Sequence, residues 1–471
     1  MSADWPSMKI SSVAYYRNNK RIPLKSLDRA QRQGIYPYYG ASGVVDYIDD
    51  YIFDGTYLLI SEDGENLRSR KTPVAFKAHG KFWVNNHAHI LEEKEEGILD
   101  YLEYYFSQLD LTPYITGAAQ PKLNKANLDT IEIPIPPLEE RKAINGTLNS
   151  LTDKIGLNHQ INQTLEQMAQ AIFKSWFVDF EPVKTKIAAL EAGSSEEDAL
   201  LAAMQAISGS SLFDADASAA GAKAQLTRLQ AEQPEQYAEL RATAELFPSD
   251  MQDSELGEIP EGGRISQIGD EVTVVGGGTP STKNPDFWEN GEINWTSPKD
   301  LSNLSDKVLV ETERKVTEAG LAKISSGLLP VDTVLMSSRA PVGYLSLAKI
   351  PVAVNQGYIA MKCEEALSPE FVIQWCAAHM DEIKSRASGT TFAEISKKNF
   401  KIIPVAMPPE SLISTYSRQV STIYETIENN VRESDALAKL RDFLLPKLLS
   451  GELSVTSAEG LSAEVMGIAN V

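Results

Sequence analysis

Residues 114–137 read YITGAAQPKLNKANLDTIEIPIPP, and residues 386–409 read RASGTTFAEISKKNFKIIPVAMPP. The two stretches share a glycine, a lysine, an asparagine and a closing Pro-Pro pair, each 272 positions apart and without a gap. A period of this length is too long for a solenoid, whose repeats span about 20–50 residues. The sequence therefore predicts a duplicated unit, a domain followed by a helix, in a chain built to hold its target at two places.

The composition predicts several domains and an uneven charge. The chain has 471 residues, too many for a single core, and a formal net charge of −21. Residues 181–258 hold 15 acidic and 5 basic residues, whereas residues 1–138 hold 18 acidic and 15 basic residues. The net charge argues against a simple basic nucleic-acid binder. It says little about any local face, because about half of the acidic excess lies in one segment.

Cysteine usage and hydropathy predict a cytoplasmic protein. The 2 cysteines form no disulfide framework, and no apolar run reaches the roughly 18 residues of a membrane helix. The N-terminal MSADWPSMKISS lacks the apolar core of a secretory signal. His87 and His89 are better explained as a packed or hydrogen-bonded pair than as zinc ligands, because further ligands are missing, so no metal is expected.

Two domains of one plan are predicted on either side of a long helix. Residues 1–137 and 259–408 alternate short β-rich runs with Gly, Asn and Asp turns, and each includes a helical stretch. Short matches such as Leu-Ile-Ser at 59–61 and Leu-Met-Ser at 335–337 extend the repeat at a drifting offset, as insertions in loops would produce. The predicted fold class is α/β (α+β), with two β-rich domains in a pseudo-two-fold internal repeat.

A long heptad pattern follows each Pro-Pro pair, over residues 138–180 and 409–452. Proline ends the preceding element because it fixes φ and disfavours helix in the residue before it. The apolar positions keep a 4-3 spacing, which predicts two helices of about 38 residues, roughly 57 Å each. The helices most simply pair with each other as an antiparallel coiled coil, which would separate the two domains.

Asn158 and Asn430 lie near the middle of the two heptad patterns. An asparagine at a core position costs stability but fixes the register and orientation of a coiled coil, and in an antiparallel pair two central asparagines can meet. The alternative is that each asparagine caps a break in its helix or faces solvent.

Residues 181–258 form an acidic insert and linker between the first helix and the second domain, and residues 453–471 form a flexible tail. The insert is rich in Ala, Glu and Ser, with high helix propensity and no β pattern. Two or three amphipathic helices are expected over 184–250.

No motif for catalysis is present. The sequence contains no nucleophile elbow, HExxH, P-loop or metal cluster, and the Gly276-Gly277-Gly278-Thr279 run does not have the Walker or dinucleotide-binding spacing. A tight turn beside a strand explains that run better. Catalysis by this chain alone is not expected.

Both domains instead carry polar, amide and aromatic residues in predicted loops. Arg, Lys, Asn and Gln are the side chains that read base edges in a major groove, and Lys, Ser and Thr suit phosphates. The alternative is that they are ordinary loop residues and cross-strand hydrogen bonders. The candidate DNA-binding residues are Tyr36, Tyr38, Tyr39, Ser42, Arg68, Arg70, Lys71, Asn85, Asn86, Lys122, Lys125, Thr279, Ser281, Lys283, Ser338, Arg339, Asn355, Gln356, Thr390, Thr391 and Lys397.

Over nearly its whole length the chain resembles the specificity subunits of type I restriction-modification systems. The resemblance is carried in the first half by YPYYGASG, GKFWVNNHAHIL, YITGAAQPKLNKANL and AIFKSWFVDFEPVK, and in the second half by GGGTPST, INWTSPKDL, SSRAPVGY, VNQGYIAMK, TTFAEISKKNF and LRDFLLPKLLSGEL. It implies two target recognition domains, each reading one half of a split DNA site through the major groove, with the helices as spacer and docking surface.

The resemblance also implies partners. Two methyltransferase subunits would carry S-adenosylmethionine and methylate adenine, a motor-nuclease subunit would use ATP with Mg²⁺, and this chain would hold no cofactor. The predicted helix length would set the half-sites apart by about one DNA turn or more. The competing interpretation is a non-enzymatic scaffold whose two domains bind proteins or glycans.

Two departures from the family pattern concern packing and assembly. Gly263 stands where the family commonly has tryptophan, which puts the packing at the start of the second domain in question. Shorter relatives lack the acidic insert, and the hypothesis is that it docks a partner or shields bound subunits.

Overall fold

The computed structural model describes residues 4–208, 219–389, 393–453 and 455. The chain divides into two compact units, Met1–Gly156 with Ser434–Val471, and Leu157–Glu433. Each unit contains one β-rich domain and one half of each long helix. The predicted fold class is confirmed, with mixed sheet and helix in both domains and a long helix between them.

The first domain is built on two four-stranded sheets and a short strand pair. Strand order is β2-β9-β6-β7 in one sheet and β4-β3-β8-β5 in the other, and β1 pairs with β10. Its strands are β1 (Ser7–Lys9), β2 (Ala14–Tyr16), β3 (Gln33–Gly40), β4 (Gly43–Ile48), β5 (Phe53–Asp54), β6 (Tyr57–Ser61), β7 (Ala75–Ala78), β8 (Lys81–Val84), β9 (Ala88–Glu93) and β10 (Glu132–Pro134).

The second domain follows the same plan and is preceded by a hairpin. Strand order is β14-β21-β18-β19-β16 in one sheet and β17-β15-β20 in another, β13 pairs with β22, and β11 pairs with β12. Its strands are β11 (Met251–Ser254), β12 (Gly257–Pro260), β13 (Arg264–Gln267), β14 (Thr273–Val275), β15 (Ile293–Thr296), β16 (Val308–Leu309), β17 (Arg314–Val316), β18 (Thr333–Ser337), β19 (Leu345–Ala348), β20 (Ala353–Val354), β21 (Tyr358–Lys362) and β22 (Pro404–Met407).

The two domains share most of their topology. The antiparallel order β2-β9-β6-β7 corresponds to β14-β21-β18-β19, and β16 extends the second sheet as a parallel strand. The pairs β3·β8 and β15·β20 are both parallel. Because a parallel pair brings the carboxyl ends of both strands to one edge, the residues that follow these strands lie together in each domain.

The helices lie around the sheets, in the insert and in the long pair. The helices of the first domain are α1 (Ile10–Val13), α2 (Ser26–Ala30), α3 (Asn66–Ser69), α4 (Ile98–Gln108) and α5 (Lys125–Leu128). The first long helix is α6 (Leu138–Phe177), and the insert contains α7 (Glu181–Glu191), α8 (Glu196–Ser208), α9 (Ala219–Glu232) and α10 (Pro234–Glu245). The remaining helices are α11 (Ile268–Glu271), α12 (Pro298–Ser302), α13 (Glu318–Leu321), α14 (Pro369–Ala378), α15 (Met380–Ser385), α16 (Lys397–Lys401) and the second long helix α17 (Glu410–Leu449).

Both long helices contain 40 residues and begin directly after the Pro-Pro pairs. At the start of α6 the Arg141 guanidinium is 1% exposed and lies 3.1 Å from a carboxylate oxygen of Glu95. The helix ends at Phe177 rather than at 180, because Phe180 adopts a left-handed φ of 55° and Pro182 opens the next helix. At the end of α17, Gly451 has a φ of 67° and closes the last turn.

In the second unit the long helices run antiparallel, since residues late in α6 contact residues early in α17. The rings of Phe173 and Trp176 lie 5.9 and 6.0 Å from that of Tyr416, whereas Asn158, which precedes them in α6, contacts Asn430, which follows Tyr416 in α17. The Asn158 side-chain amide donates to the Asn430 carbonyl at 3.4 Å.

The central asparagines use several partners rather than one symmetric bond. The Asn158 amide also donates to Glu433 Oε2 at 2.7 Å, and the Asn430 amide donates to Asn162 Oδ1 at 2.8 Å. In the first unit, by contrast, the seam between the helices is apolar, with Leu148, Leu151, Leu437 and Leu444 all buried. Because polar bonds require one alignment, the asparagines restrict the register that the leucines would leave open.

The acidic insert contains more helices than the sequence predicts. Four helices, α7 to α10, lie in its described parts instead of two or three, because Pro234 divides the last Ala-rich stretch into α9 and α10. A small core of its own joins Ala203, Met204 and Leu240. The expected boundary at residue 258 falls inside the hairpin of β11 and β12.

An apolar pocket lies beside Gly263, where the sequence left the packing at the start of the second domain in question. Its lining includes Trp176, Phe180, Phe247 and Gly263. A Cβ on Gly263 would lie 3.1 Å from the Pro260 carbonyl oxygen, so the backbone is already close on one side. Among the described residues, no helix combines the length and the apolarity needed to cross a membrane.

Candidate nucleic-acid interface

Loops at the carboxyl ends of the parallel strands meet in each domain. In the first domain the backbone N–H of Asn85 donates to the Tyr39 carbonyl at 3.0 Å, and in the second the backbone N–H of Asn355 donates to the Thr296 carbonyl at the same distance. These bonds continue the pairs β3·β8 and β15·β20 by one residue. The chain then turns sharply, and the turn is the centre of each loop cluster.

The side chains of Asn85 and Asn355 hold their own turns. Asn85 Oδ1 accepts from the His87 amide at 2.8 Å, and Asn355 Oδ1 accepts from the Gly357 amide at 2.7 Å. A side-chain oxygen that bonds the backbone two residues on is a common way to stabilise a tight turn. The residue at each tip, Asn86 or Gln356, is exposed.

An equivalent backbone hydrogen bond in each domain joins the turn to the end of a neighbouring strand. The Glu62 amide donates to the His87 carbonyl, and the Ser338 amide donates to the Gly357 carbonyl, both at 2.8 Å. Glu62 and Ser338 each follow a fully buried strand, β6 or β18. Since the pattern repeats bond for bond, the positions in the two domains can be matched directly.

The repeated stretch, residues 114–137 or 386–409, lies along one side of each cluster. The Leu123 amide donates to the Glu62 carbonyl at 2.8 Å, and the Ile395 amide donates to the Ser338 carbonyl at 3.0 Å. The bridges Asp63–Lys122 and Arg339–Glu394 lie at the same place in the two domains. The loop clusters therefore share one backbone frame.

Several predicted residues of the second domain are brought together. Thr279 Oγ1 donates to Gln356 Oε1 at 2.7 Å, and Arg339 lies 3.6 Å from Glu394 across a bridge. A Cβ on Gly276 would lie 2.9 Å from Lys397 Nζ, which places Lys397 against the glycine loop.

The glycine loop itself is a close-packed turn and not a phosphate loop. A Cβ on Gly277 would lie 1.6 Å from the Val354 carbonyl oxygen, so the backbone approaches β20 too closely for any side chain. The exposed residues Ser281 and Lys283 follow, with the Ser281 carbonyl accepting from the Trp288 indole at 3.1 Å. Ser338 is buried at 3% exposure, and its hydroxyl donates to Glu394 Oε1 at 3.4 Å, so it supports the cluster from inside.

In the first domain three predicted residues lie at exposed positions of the cluster. Ser42 is at the tip of the β3–β4 hairpin, and Lys122 is 51% exposed with its Nζ 3.6 Å from Glu62. Lys125 is exposed, and its Nζ lies 4.7 Å from the centre of the Tyr16 ring. These side chains can reach a ligand without rearrangement of the fold.

Two of the predicted residues have structural contacts: Tyr38 is buried and so cannot reach DNA, and Arg70 is exposed but hydrogen-bonded to the protein. Tyr38 is 1% exposed, and its hydroxyl accepts from the Leu24 amide at 2.9 Å, because the inward face of β3 packs under Trp83. Arg70 adopts a left-handed φ of 47°, and its guanidinium donates to the Ser107 carbonyl at 3.1 Å. Arg70 thus satisfies the carbonyl end of α4.

Most of the other predicted residues of the first domain contact neighbouring parts of the protein. Tyr36 packs on Tyr51 at 5.2 Å, and the Tyr39 ring lies 5.5 Å from Phe82, where burial raises the pKa of its hydroxyl. Arg68 donates to the Gly117 carbonyl at 2.9 Å. Lys71 is exposed beside it, whereas Thr390 and Thr391 lie outside the described residues.

Charged partners that loop composition did not predict lie inside the first cluster. Both carboxylate oxygens of Asp63 lie 2.9 Å from His87 Nδ1. Glu62 is 14% exposed and accepts from Arg21 at 2.6 Å. Burial alone raises the pKa of Glu62, but the Arg21 hydrogen bond, with His89 and Lys122, outweighs it and lowers the pKa. Comparing the two copies for positions of unlike charge would have found them.

The match to known proteins follows the same duplicated plan. The family model for the type I restriction modification DNA specificity domain matches residues 2–167 and 260–433. The chain belongs to the family of type I restriction-modification specificity subunits. As such it is a non-catalytic component that recognises DNA, and the resemblance stated from sequence is confirmed.

This specificity subunit is similar to proteins from distant organisms. It is 33% identical over 341 residues to the specificity subunit of the type I restriction enzyme HindI of Haemophilus influenzae, covering 71% of each chain. It is 30% identical over 196 residues to the MjaIX specificity subunit of Methanocaldococcus jannaschii, covering 41% of this chain and 45% of that protein. The S subunit of M. genitalium has the same fold, with a TM-score of 0.53 at 13% identity and coverage of 94% and 96%.

Proposed function

We propose that this specificity subunit recognises an asymmetric, bipartite DNA sequence through the major groove, one half-site for each β-rich domain. The observation that supports the proposal most is the shared backbone frame with unlike side chains. Asn86 in one domain and Gln356 in the other stand exposed at the same turn. Asparagine and glutamine amides pair with adenine edges, so both tips suit base readout.

The long helices suit a spacer between the two half-sites. Each helix has 40 residues, about 60 Å at 1.5 Å per residue. We expect the half-sites to be separated by about one turn of DNA or more, with an undetermined spacer sequence between them. Because the exposed residues of the two domains differ, we expect the two half-sites to differ as well.

The chain would act within a complex in the cytoplasm. Two methyltransferase subunits would bring S-adenosylmethionine, and restriction subunits would bring ATP and Mg²⁺, leaving this chain without a cofactor of its own. The net charge of −21 makes strong DNA binding by the isolated chain unfavourable. The partner subunits would therefore supply part of the basic surface that holds the duplex.

The salt dependence of binding tests this proposal against a scaffold for proteins or glycans. The complex of this chain with its methyltransferase subunits is titrated with duplex DNA between 50 and 200 mM salt, a range over which phosphate contacts cost roughly 10³–10⁵ in affinity. We expect a steep fall, and a much weaker affinity for the chain alone. Equal DNA affinity with and without the methyltransferase subunits, or an absence of salt dependence, would contradict the proposal.

A further inference from the structure

The matched frames reveal one position where the two domains reverse their charges. The backbones of Asp63 and Lys122 form an isolated antiparallel β-bridge in the first domain, and those of Arg339 and Glu394 form the corresponding β-bridge in the second. A carboxylate thus stands where the other domain has a guanidinium, and an ammonium stands where the other has a carboxylate. The backbone hydrogen bonds are the same, so the frame does not require either arrangement.

The charged groups of the first domain are mostly engaged within the protein. Asp63 is 16% exposed and contacts His87 at 2.9 Å, and Glu62 is held by Arg21. Lys122 is 51% exposed, the most of this group, and its Nζ lies 3.6 Å from Glu62. A lysine ammonium acts as a point charge, which suits a phosphate better than a base edge.

The corresponding pair in the second domain is more exposed, and its one further side-chain contact within the described part of the chain is the Ser338 hydroxyl, which donates to Glu394 Oε1 at 3.4 Å. Arg339 is 40% exposed and Glu394 is 45% exposed, and their 3.6 Å separation is longer than a normal hydrogen bond. Exposed ion pairs of this kind contribute little to the free energy of unfolding. Arg339 and Glu394 can therefore leave each other and bind a ligand with little loss of stability. Both stand beside the turn that carries Gln356, because the Ser338 amide bonds Gly357.

We propose that Arg339 and Glu394 together read one G·C base pair in the half-site of the second domain, an inference that rests on the proposed function. The guanidinium fork matches the O6 and N7 acceptors of guanine, and a carboxylate accepts from the N4 amino group of cytosine. A G·C pair presents these groups side by side in the major groove. The first domain would not recognise a G·C pair at its equivalent position, where Lys122 would contact a DNA phosphate instead.

The test selects binding sequences from a duplex pool with both half-sites randomised, using the complete complex with its methyltransferase subunits. Arg339→Lys and Arg339→Gln should lower the preference for G·C at one position of one half-site about tenfold or more, and Glu394→Gln should weaken it at the same position. The other half-site should not change. Arg339→Lys keeps the charge, so a mere phosphate contact would survive it.

Lys122→Gln is the matched control in the first domain, and it should weaken binding about evenly across all sequences. Melting temperatures of every variant check that the fold is intact, and Glu394→Gln keeps the test valid if an Arg339 variant melts. A native complex that selects a bipartite motif, with base preferences unchanged in the Arg339 and Glu394 variants, would overturn this inference alone. A native complex that selects no motif would overturn the proposed function and this inference with it.

Discussion

Lys122 and Glu394 occupy the same position in the two copies of the repeat and carry opposite charges. Lys122 exchanges backbone hydrogen bonds of 2.7 and 2.8 Å with Thr116, and Glu394 exchanges bonds of 2.9 and 3.0 Å with Ser388. The backbone at this position is therefore held by its own hydrogen bonds, whatever the side chain. Duplication can keep such a frame while the exposed side chains diverge.

The turn asparagines should separate stability from recognition. Asn85→Ala removes the oxygen that accepts from the His87 amide, and we expect a loss of about 1 kcal/mol in the free energy of unfolding. Asn86→Ala, one residue further at the exposed tip, should cost less than about 0.5 kcal/mol. Urea denaturation of both variants measures this, and an equal loss for the two would count against the assigned turn.

The same contrast applies to DNA binding by the complex. Asn86→Ala should reduce discrimination between half-sites of different sequence, because the exposed amide is lost, whereas Asn85→Ala should mainly lower the melting temperature. Binding of the complex to its preferred duplex and to single-base variants measures the difference. Unchanged discrimination in Asn86→Ala would remove this residue from the interface.

The glycine loop offers a matched pair of substitutions. Gly277→Ala places a Cβ 1.6 Å from the Val354 carbonyl oxygen, and no side-chain rotation can relieve the clash. We expect a loss of about 3 kcal/mol or more. Gly278→Ala has its nearest neighbour, the Lys323 carbonyl oxygen, at 3.6 Å and should be tolerated. Thermal unfolding compares them, and a stable Gly277→Ala variant would show that the loop is not packed on β20.

A buried carboxylate on α6 should make stability depend on pH. Glu166 is 14% exposed and bonds Lys307 Nζ at 2.7 Å and the Tyr424 hydroxyl at 3.0 Å. Burial alone raises the pKa of Glu166, but the charge and hydrogen bond of Lys307, with hydrogen bonds from Gln170 and Gln374, outweigh it and lower the pKa. A carboxyl with a lowered folded pKa stabilises the fold above its unfolded pKa of about 4.3 and loses this as pH falls through the folded pKa.

Lys307→Met tests that sign. The variant leaves the Glu166 charge without its partner, so we expect a loss of about 2 kcal/mol at pH 7 that shrinks toward pH 4, where the carboxyl takes up a proton. Lys299→Met is the control, since its pair with Glu313 is 69% and 60% exposed and should contribute little. Melting curves at both pH values decide. A pH-independent loss in Lys307→Met would refute the role of Glu166.

Removal of the acidic insert tests its suggested part in assembly. Its small core joins residues of α8, α9 and α10, so replacing 190–245 with a short flexible linker should leave the second domain folded. If the insert docks a partner or shields bound subunits, the shortened chain will assemble less completely with its methyltransferase subunits. Size-exclusion chromatography of the mixture measures assembly, and unchanged assembly and DNA affinity would discard the hypothesis.

Much of the architecture follows from the repeat and the heptads. The matched Pro-Pro pairs and the 4-3 spacing predict both long helices to within a few residues, because proline and amphipathic periodicity act locally. The number of helices in the insert did not follow, since alanine-rich sequence has high helix propensity throughout and the break between α9 and α10 depends on a single residue, Pro234.

The candidate interface could be predicted only in part, since loop composition does not give the direction of a side chain. Tyr38 and Ser42 lie in one short motif, yet the first is buried under Trp83 and the second is exposed at a hairpin tip. Arg70 has the composition of a DNA contact but is used to close α4. The reversed pairs share no residue type, yet their positions match in the sequence, because Lys122 and Glu394 lie in the gapless repeat and Asp63 and Arg339 follow the matched stretches 59–61 and 335–337.

The central claim, two unlike recognition domains on one repeated frame, is tested most directly by mapping adenine methylation in the DNA of cells that express this chain with its methyltransferase partner. We predict a single motif of two short, different half-sites separated by a fixed number of unspecified base pairs, with no palindromic symmetry. A continuous or palindromic motif would contradict the account, and an active complex that methylates without any motif would refute it.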